Sequence, residues 1–247
     1  MGFFIALQFL TSIPLPIKRR FSAMEIGRSM AYFPLVGLFL GLVWVGLDGL
    51  LGLILPGAVV NALLIAALIA LTGALHLDGF IDCCDGLLCA KSPEERLEIL
   101  RDTQIGAFGA VGVISLLLLK YAALGGLVGP LRQRILLLAP VLSRWSMVYA
   151  ARLYPYARTG QGVGRMFSDH VTRRDLATAS LTAALAALLS LGWRGLIPLA
   201  VTWLLTVALI RWIMGRIPGL TGDTYGAINE IVEVGVLVVF CARSSIV

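Results

Sequence analysis

Charged side chains are scarce in this sequence. Asp, Glu, Lys and Arg supply 14% of its 247 residues, against about 25% in a soluble globular domain. Apolar residues make up 59%, and the mean hydropathy is +0.92. Too little polar surface is left to cover a water-soluble fold, and so apolar a chain is not disordered. The four cysteines, Cys83, Cys84, Cys89 and Cys241, form no CxxC pair, which argues against a disulfide framework or a structural zinc site. No patch interleaves basic with aromatic residues, so the formal charge of +6 does not point to nucleic acid. No early Lys or Arg and no small-residue cleavage site accompany the first apolar run, so no removable signal peptide is expected. No internal repeat or low-complexity linker divides the chain. A single integral membrane domain over residues 1–247 is the simplest expectation.

What the chain does have is long apolar runs. A membrane span takes about 20 mostly apolar residues. Seven stretches approach this: Phe33–Leu55, Val59–Leu75, Ala107–Val128, Ile135–Ala151, Ala177–Trp193, Gly195–Met214 and Ile231–Cys241. The first sixteen residues, ending in Ile13-Pro14-Leu15-Pro16, are too short to span and read as an interfacial segment. The predicted fold is all-α, a polytopic integral membrane helical bundle of about seven transmembrane helices with a cytoplasmic acidic loop. Seven spans put the four longer polar segments on one side, with 13 Lys and Arg there against 4 on the other. Basic loops stay in the cytoplasm. The expected location is therefore the cytoplasmic (inner) membrane, multi-pass, with the lipid bilayer as a partner.

The acids are not spread evenly: seven of the 14 lie between Asp78 and Asp102. His76-Leu-Asp78-Gly79-Phe-Ile-Asp82-Cys-Cys-Asp85-Gly86 spaces three carboxylates at i, i+4 and i+7, one face of a helix. Three like charges on one face repel, and a divalent cation such as Mg²⁺ or Mn²⁺ would relieve the repulsion through hard oxygen ligands. The bland alternative is a solvated helix start with acids favoured by the dipole. Gly79 and Gly86 would let a ligand approach the backbone, or serve close helix packing. His76 is a candidate metal ligand, base or phosphate donor, or simply a satisfied polar residue. Ser92-Pro-Glu94-Glu95 opens a short helix that leads to Arg101-Asp102, where the chain re-enters the membrane. Arg101 is either a phosphate contact or an interfacial anchor.

A second acidic face opens the last apolar run, with Asp223 and Glu230 at i and i+7. Two facing acidic clusters would suit an ion-plus-base site, whereas the alternative is a helix cap. Tyr156-Ala-Arg158-Thr-Gly160-Gln-Gly162-Val-Gly164-Arg165 is a basic, Gly-rich run, either a phosphate cradle or a flexible cytoplasmic loop. Arg144 falls inside a predicted span and needs a partner or a wet cavity. It either lines an anionic pocket or pairs with an acid such as Asp48. Lys120 is also mid-span and reads as structural.

These motifs resemble the cobalamin synthase family, the adenosylcobinamide-GDP ribazoletransferases, along nearly the whole chain. The carriers are Phe9–Pro16, His76–Gly86, Arg101-Asp102 through Gly106, Ser143-Arg144, Tyr156-Ala-Arg158 with its glycines, and Thr221–Glu230. The resemblance implies a Mg²⁺-dependent membrane phosphotransferase. It would transfer the cobinamide-phosphate moiety of adenosylcobinamide-GDP to α-ribazole or its 5′-phosphate and release GMP. It assigns Asp78, Asp82, Asp85, Asp223 and Glu230 as metal ligands and Asp85, His76 and Asp102 as catalytic candidates, with Asp85 the base. It assigns Arg101, Arg144 and Arg158 to phosphate contact, with Gly79 and Gly86 beside the substrate. A homo-oligomer is left open. The competing readings are a membrane phosphotransferase of the CDP-alcohol type, whose Ala-Arg pair after the first Asp-Gly is missing here, and a transporter. A transporter would carry its ionisable groups near the midplane of several spans.

Overall fold

The structure is a computed structural model and describes residues 1–17, 19–159 and 162–244. Lys18, Gly160 and Gln161, which the charge count and the Gly-rich reading include, lie outside the described residues. Among the described residues twelve α-helices follow one another: α1 (Gly2–Leu10), α2 (Ala23–Ser29), α3 (Phe33–Leu51), α4 (Gly57–Thr72), α5 (Leu75–Leu88), α6 (Pro93–Ile99), α7 (Ala107–Gly126), α8 (Gly129–Leu153), α9 (Val163–His170), α10 (Arg173–Leu191), α11 (Leu196–Met214) and α12 (Gly222–Ser244). Among the described residues there is no β-strand, only one bridge between Tyr156 and Leu220. The fold is all-α, as the hydropathy predicts.

Sequence-local signals set many of the ends. Ser22 with Glu25, Ser92 with Glu95 and Thr172 with Asp175 form capping boxes that open α2, α6 and α10. Prolines sit at the first turn of α3, α6 and α8, where the missing N–H costs nothing. In the centre of the bundle α3 lies against α8. Gly37 and Gly41, four residues apart, leave no room for a Cβ against the Pro140 and Leu137 carbonyl oxygens. Such close backbone approach is what small residues provide between membrane helices.

The count of seven spans is not confirmed. Among the described residues four helical stretches are long and apolar enough to cross a membrane: Ala23–Leu51, Ala107–Gly126, Arg173–Met214 and Gly222–Cys241. The bent pair α4–α5 brings the number to five. The predicted fourth span falls on α8, which is 25 residues long but carries Arg132, Arg134, Arg144 and Arg152. The predicted fifth and sixth fall on α10 and α11, which together make up the 42-residue stretch Arg173–Met214. That stretch breaks at Gly192–Gly195, where a Cβ on Gly195 would come within 2.4 Å of the Ala187 carbonyl oxygen and the chain turns back on itself. The last helix starts at Gly222, not Ile231, because Thr221–Glu230 is its opening turns.

The acidic segment from His76 to Gly86 is helical, as its i, i+4, i+7 spacing predicts. Helix α4 ends at Gly73 and Ala74, both left-handed at φ +58°, and α5 leaves at 94° to it. Ser12 steadies this corner, its Oγ donating to the Ala70 carbonyl at 2.7 Å and its N–H to that of Leu71 at 2.7 Å. The N-terminal segment is thereby tied to the start of the acidic helix. Helix α1 is too short to span, as expected, but it buries Ala6 and Leu10 completely.

Candidate active site

Helices α5 and α12 cross antiparallel with their backbones in contact. A Cβ on Gly79 would lie 2.8 Å from the Asp223 carbonyl oxygen, and one on Gly226 would lie 3.0 Å from that of His76. Gly79 is therefore a packing residue at the crossing. The crossing sets the Asp78–Asp82 face of α5 beside the first turn of α12, which carries Asp223. That turn is locked by Thr221 and Thr224, each accepting the other's backbone N–H on its hydroxyl at 2.8 and 3.2 Å.

Arg158 reaches the same place from the loop after α8. The Ala157 N–H donates to the Leu220 carbonyl and the Leu220 N–H to that of Pro155, both at 2.8 Å. Gly219 allows this approach, since a Cβ there would meet the Pro155 oxygen at 2.6 Å. Arg158 Nη2 then donates to Asp223 Oδ2 at 2.5 Å and to the Leu100 carbonyl, at the end of α6, at 2.8 Å. The guanidinium also stands beside the Tyr156 phenol, with which it interacts, and its Nε is buried without a partner among the described residues. Tyr156 adjoins the pair. Burial pushes its phenol above the ordinary value, so it stays a neutral hydroxyl at working pH.

The three acids of α5 differ in their surroundings. Asp78 is exposed, and Asp82 and Asp85 are half-buried. Asp85 accepts the Gly106 N–H on Oδ2 and the Gly109 N–H on Oδ1, both at 2.8 Å. It thus caps the N-terminus of α7, which no side chain of its own caps. Each of its oxygens accepts one backbone N–H, which holds Asp85 at the start of α7. Asp78 and Asp82 have no hydrogen-bond partner among the described residues, and the charges of Asp223, Asp78 and Asp85 all bear on Asp82. Among the described residues no three His, Cys, Asp or Glu side chains stand close enough to hold an ion by themselves. An array of unpaired carboxylates around an open rim still fits Mg²⁺, which is commonly bound by one or two carboxylates with substrate phosphates and water completing the shell.

Several sequence-predicted residues are placed elsewhere. Glu230 accepts an ion pair from Lys120 Nζ at 2.9 Å. Lys120 also pairs with Glu233 at 2.8 Å, and Glu233 pairs with Arg144, all three within the bundle. Arg144 thus meets an acid inside the protein and not a substrate pocket, and that acid is not Asp48, which holds Arg132 at 2.7 Å. Two cations and two carboxylates neutralise one another, the arrangement a low-dielectric interior demands. His76 is 2% exposed, with neither ring nitrogen partnered among the described residues. Arg101 and Asp102 lie on an exposed turn, where Asp102 accepts the Gln104 N–H at 3.0 Å. Gly86 packs on Leu100, where a Cβ would meet its side chain at 2.8 Å. Sequence reading missed Glu233, although it lies on the same face of α12 as Glu230, three residues on.

A family model described as cobalamin-5-phosphate synthase matches residues 2–241. The adenosylcobinamide-GDP ribazoletransferase of Geotalea daltonii is 40% identical over 232 residues, covering 94% of this chain and 93% of that protein. The protein of the same name from Roseiflexus sp. is 41% identical, covering 93% and 85%. The one from Pseudomonas putida is 40% identical, covering 96% and 97%. No solved structure matches. The motifs at the α5–α12 crossing and the match along nearly the whole length agree: the chain belongs to the cobalamin-5-phosphate synthase family.

Proposed function

We propose that the chain catalyses the reaction its relatives are named for, with the α5–α12 rim as the active site and Mg²⁺ as cofactor. The observation that carries this is the convergence of unpaired Asp78 and Asp82 with the Arg158–Asp223 pair. Phosphoryl transfer is mostly positioning and charge neutralisation. Acids that hold a cation, beside an arginine that grips phosphate, are the groups it needs.

Asp78 and Asp82, one helical turn apart, would hold Mg²⁺. The ion would supply charge neutralisation on the diphosphate of adenosylcobinamide-GDP. The Arg158 guanidinium grips a phosphate oxygen while Nη2 stays on Asp223. The ribose hydroxyl of α-ribazole, or of its 5′-phosphate, attacks the cobinamide-side phosphorus. A new P–O bond forms, the diphosphate bridge breaks, and GMP leaves with the bonding electrons. The hydroxyl proton passes to Asp223 Oδ1, the oxygen that Arg158 leaves free. The rim is proposed to face the cytoplasm of an inner-membrane protein, because the polar segments that lead to it carry Lys91, Arg96, Arg101, Arg152, Arg158 and Arg165.

The test is GMP release coupled to corrinoid phosphodiester formation by the purified chain. Mg²⁺ is expected to be required, with activity lost on chelation and restored by readdition. Release of GMP with a lipid alcohol but not with ribazole would assign the chain to the CDP-alcohol-like reading instead.

A further inference from the structure

We propose that the hollow between α2 and the start of α10 binds the phosphate of an anionic phospholipid. It has a volume of about 430 Å³ and is lined by Arg28, Thr172, Arg173, Arg174 and Asp175. The three guanidinium groups are exposed and have no hydrogen-bond or ion-pair partner among the described residues. Asp175 also lines the hollow, its Oδ2 accepting the Thr172 N–H and hydroxyl at 2.8 and 2.6 Å, so one carboxylate stands against three guanidinium groups and the hollow keeps a net positive charge. Three free arginines around one hollow are a strong anion trap, and guanidinium forks match phosphate oxygens.

The position favours a lipid over a soluble anion. The two stretches that supply the arginines, Ala23–Leu51 and Arg173–Met214, both carry them near the first residues of an apolar run long enough to span. Along α10 the face of Arg174 continues as Leu181, Leu185, Leu188 and Leu189, all exposed. These follow Arg174 at helical spacing. The opposite face, Ala179, Ala183 and Ala187, is buried. A headgroup phosphate at Arg174 thus has an apolar track for its acyl chain directly below it. None of these residues lines the α5–α12 rim, so the inference is independent of the proposed reaction.

The test uses the full chain in phosphatidylcholine nanodiscs with and without phosphatidylglycerol. Native mass spectrometry counts retained lipid, and a thermal melt follows stability. Phosphatidylglycerol is expected to be retained and to raise the melting midpoint. The double variant Arg173→Gln/Arg174→Gln is expected to weaken retention roughly 30-fold, as for the loss of two surface charges near an anionic headgroup. If that variant does not fold, Arg28→Gln serves, with a loss of about fivefold. Equal retention of phosphatidylcholine, or unchanged retention in the variants, overturns the proposal. Displacement of the lipid by inorganic phosphate reassigns the hollow to a soluble anion and overturns it equally.

Discussion

Gly79 of α5 stands so close to Asp223 of α12 that a Cβ at position 79 would lie 2.8 Å from the Asp223 carbonyl oxygen and 2.9 Å from its Cα. The atoms met are backbone, which cannot rotate aside. Gly79→Ala therefore pushes the two helices apart. Overpacking of this kind costs about 1–3 kcal/mol, and the displacement separates Asp82 from Asp223. The expected outcome is at least a tenfold fall in GMP release with only a modest drop in melting midpoint. Gly226→Ala, against the His76 carbonyl, is expected to do the same to a lesser degree. Gly222→Ala, with no atom near its Cβ position, serves as the control and retains activity.

Arg158 is the hinge between the loop after α8, the end of α6 and Asp223. Arg158→Ala leaves Asp223 without its cation and the phosphate without its grip. Truncating one partner of a hydrogen-bonded charge pair costs about 2–5 kcal/mol. Steady-state kinetics is expected to show kcat/KM down by a factor on the order of 100. Arg158→Lys is expected to recover little, because one ammonium does not reach Leu100, Asp223 and a phosphate together.

The long apolar runs, the acidic turns at i, i+4 and i+7, and the helix start at Ser92 are local patterns, and they carry over into the structure. What chain-local reading does not reach is pairing across the bundle. Arg144 is 89 residues from Glu233, and nothing near either names the other. Asp85 looks like its two neighbours on α5 until Gly106 and Gly109 bring the N–H groups of α7 to it. Gly79 reads equally as ligand approach or helix packing, and only the position of α12 decides. Hydropathy alone does not mark α8 as a span, because its Arg132 and Arg144 are neutralised from elsewhere, by Asp48 on α3 and Glu233 on α12.

The buried network of Lys120, Glu230, Glu233 and Arg144 joins α7, α8 and α12. Glu233→Gln leaves two cations facing one carboxylate inside the bundle, and an uncompensated buried charge costs about 3–5 kcal/mol. The variant is expected to melt well below the parent in a detergent thermal scan. The double variant Glu233→Met/Arg144→Met removes one cation and one anion and leaves Lys120 with Glu230. It is expected to be more stable than Glu233→Gln alone. A double variant as unstable as the single one would show that the network does not act as balanced charge.

Helix α6 carries a pH dependence of known sign. Glu95 accepts the Ser92 N–H at 2.9 Å, and this bond, with Lys91 beside it, holds its carboxyl below the usual 4.5. A lowered folded value means the stabilisation is complete above the ordinary carboxylate value and is lost as pH falls through the lowered one. Amide exchange along α6 is expected to quicken on acidification in the parent and to stay flat in Glu95→Gln. Because α6 ends at the Leu100 carbonyl that holds Arg158, the same acidification loosens the rim.

Asp82 and Asp85 occupy one face of one helix, yet their substitutions are expected to part company. Asp82 has no hydrogen bond to lose. Asp82→Asn should leave the melting midpoint near the parent value while abolishing turnover and weakening Mg²⁺ dependence. Asp85 satisfies two N–H groups at the start of α7. Asp85→Asn keeps one acceptor and loses the other, together with the negative charge favoured at a helix N-terminus, at a cost of about 1–2 kcal/mol. Its melting midpoint should fall by several degrees, while residual turnover keeps the parent Mg²⁺ dependence. If Asp85→Asn instead loses all turnover without loss of stability, Asp85 acts on the substrate directly and the capping role is secondary.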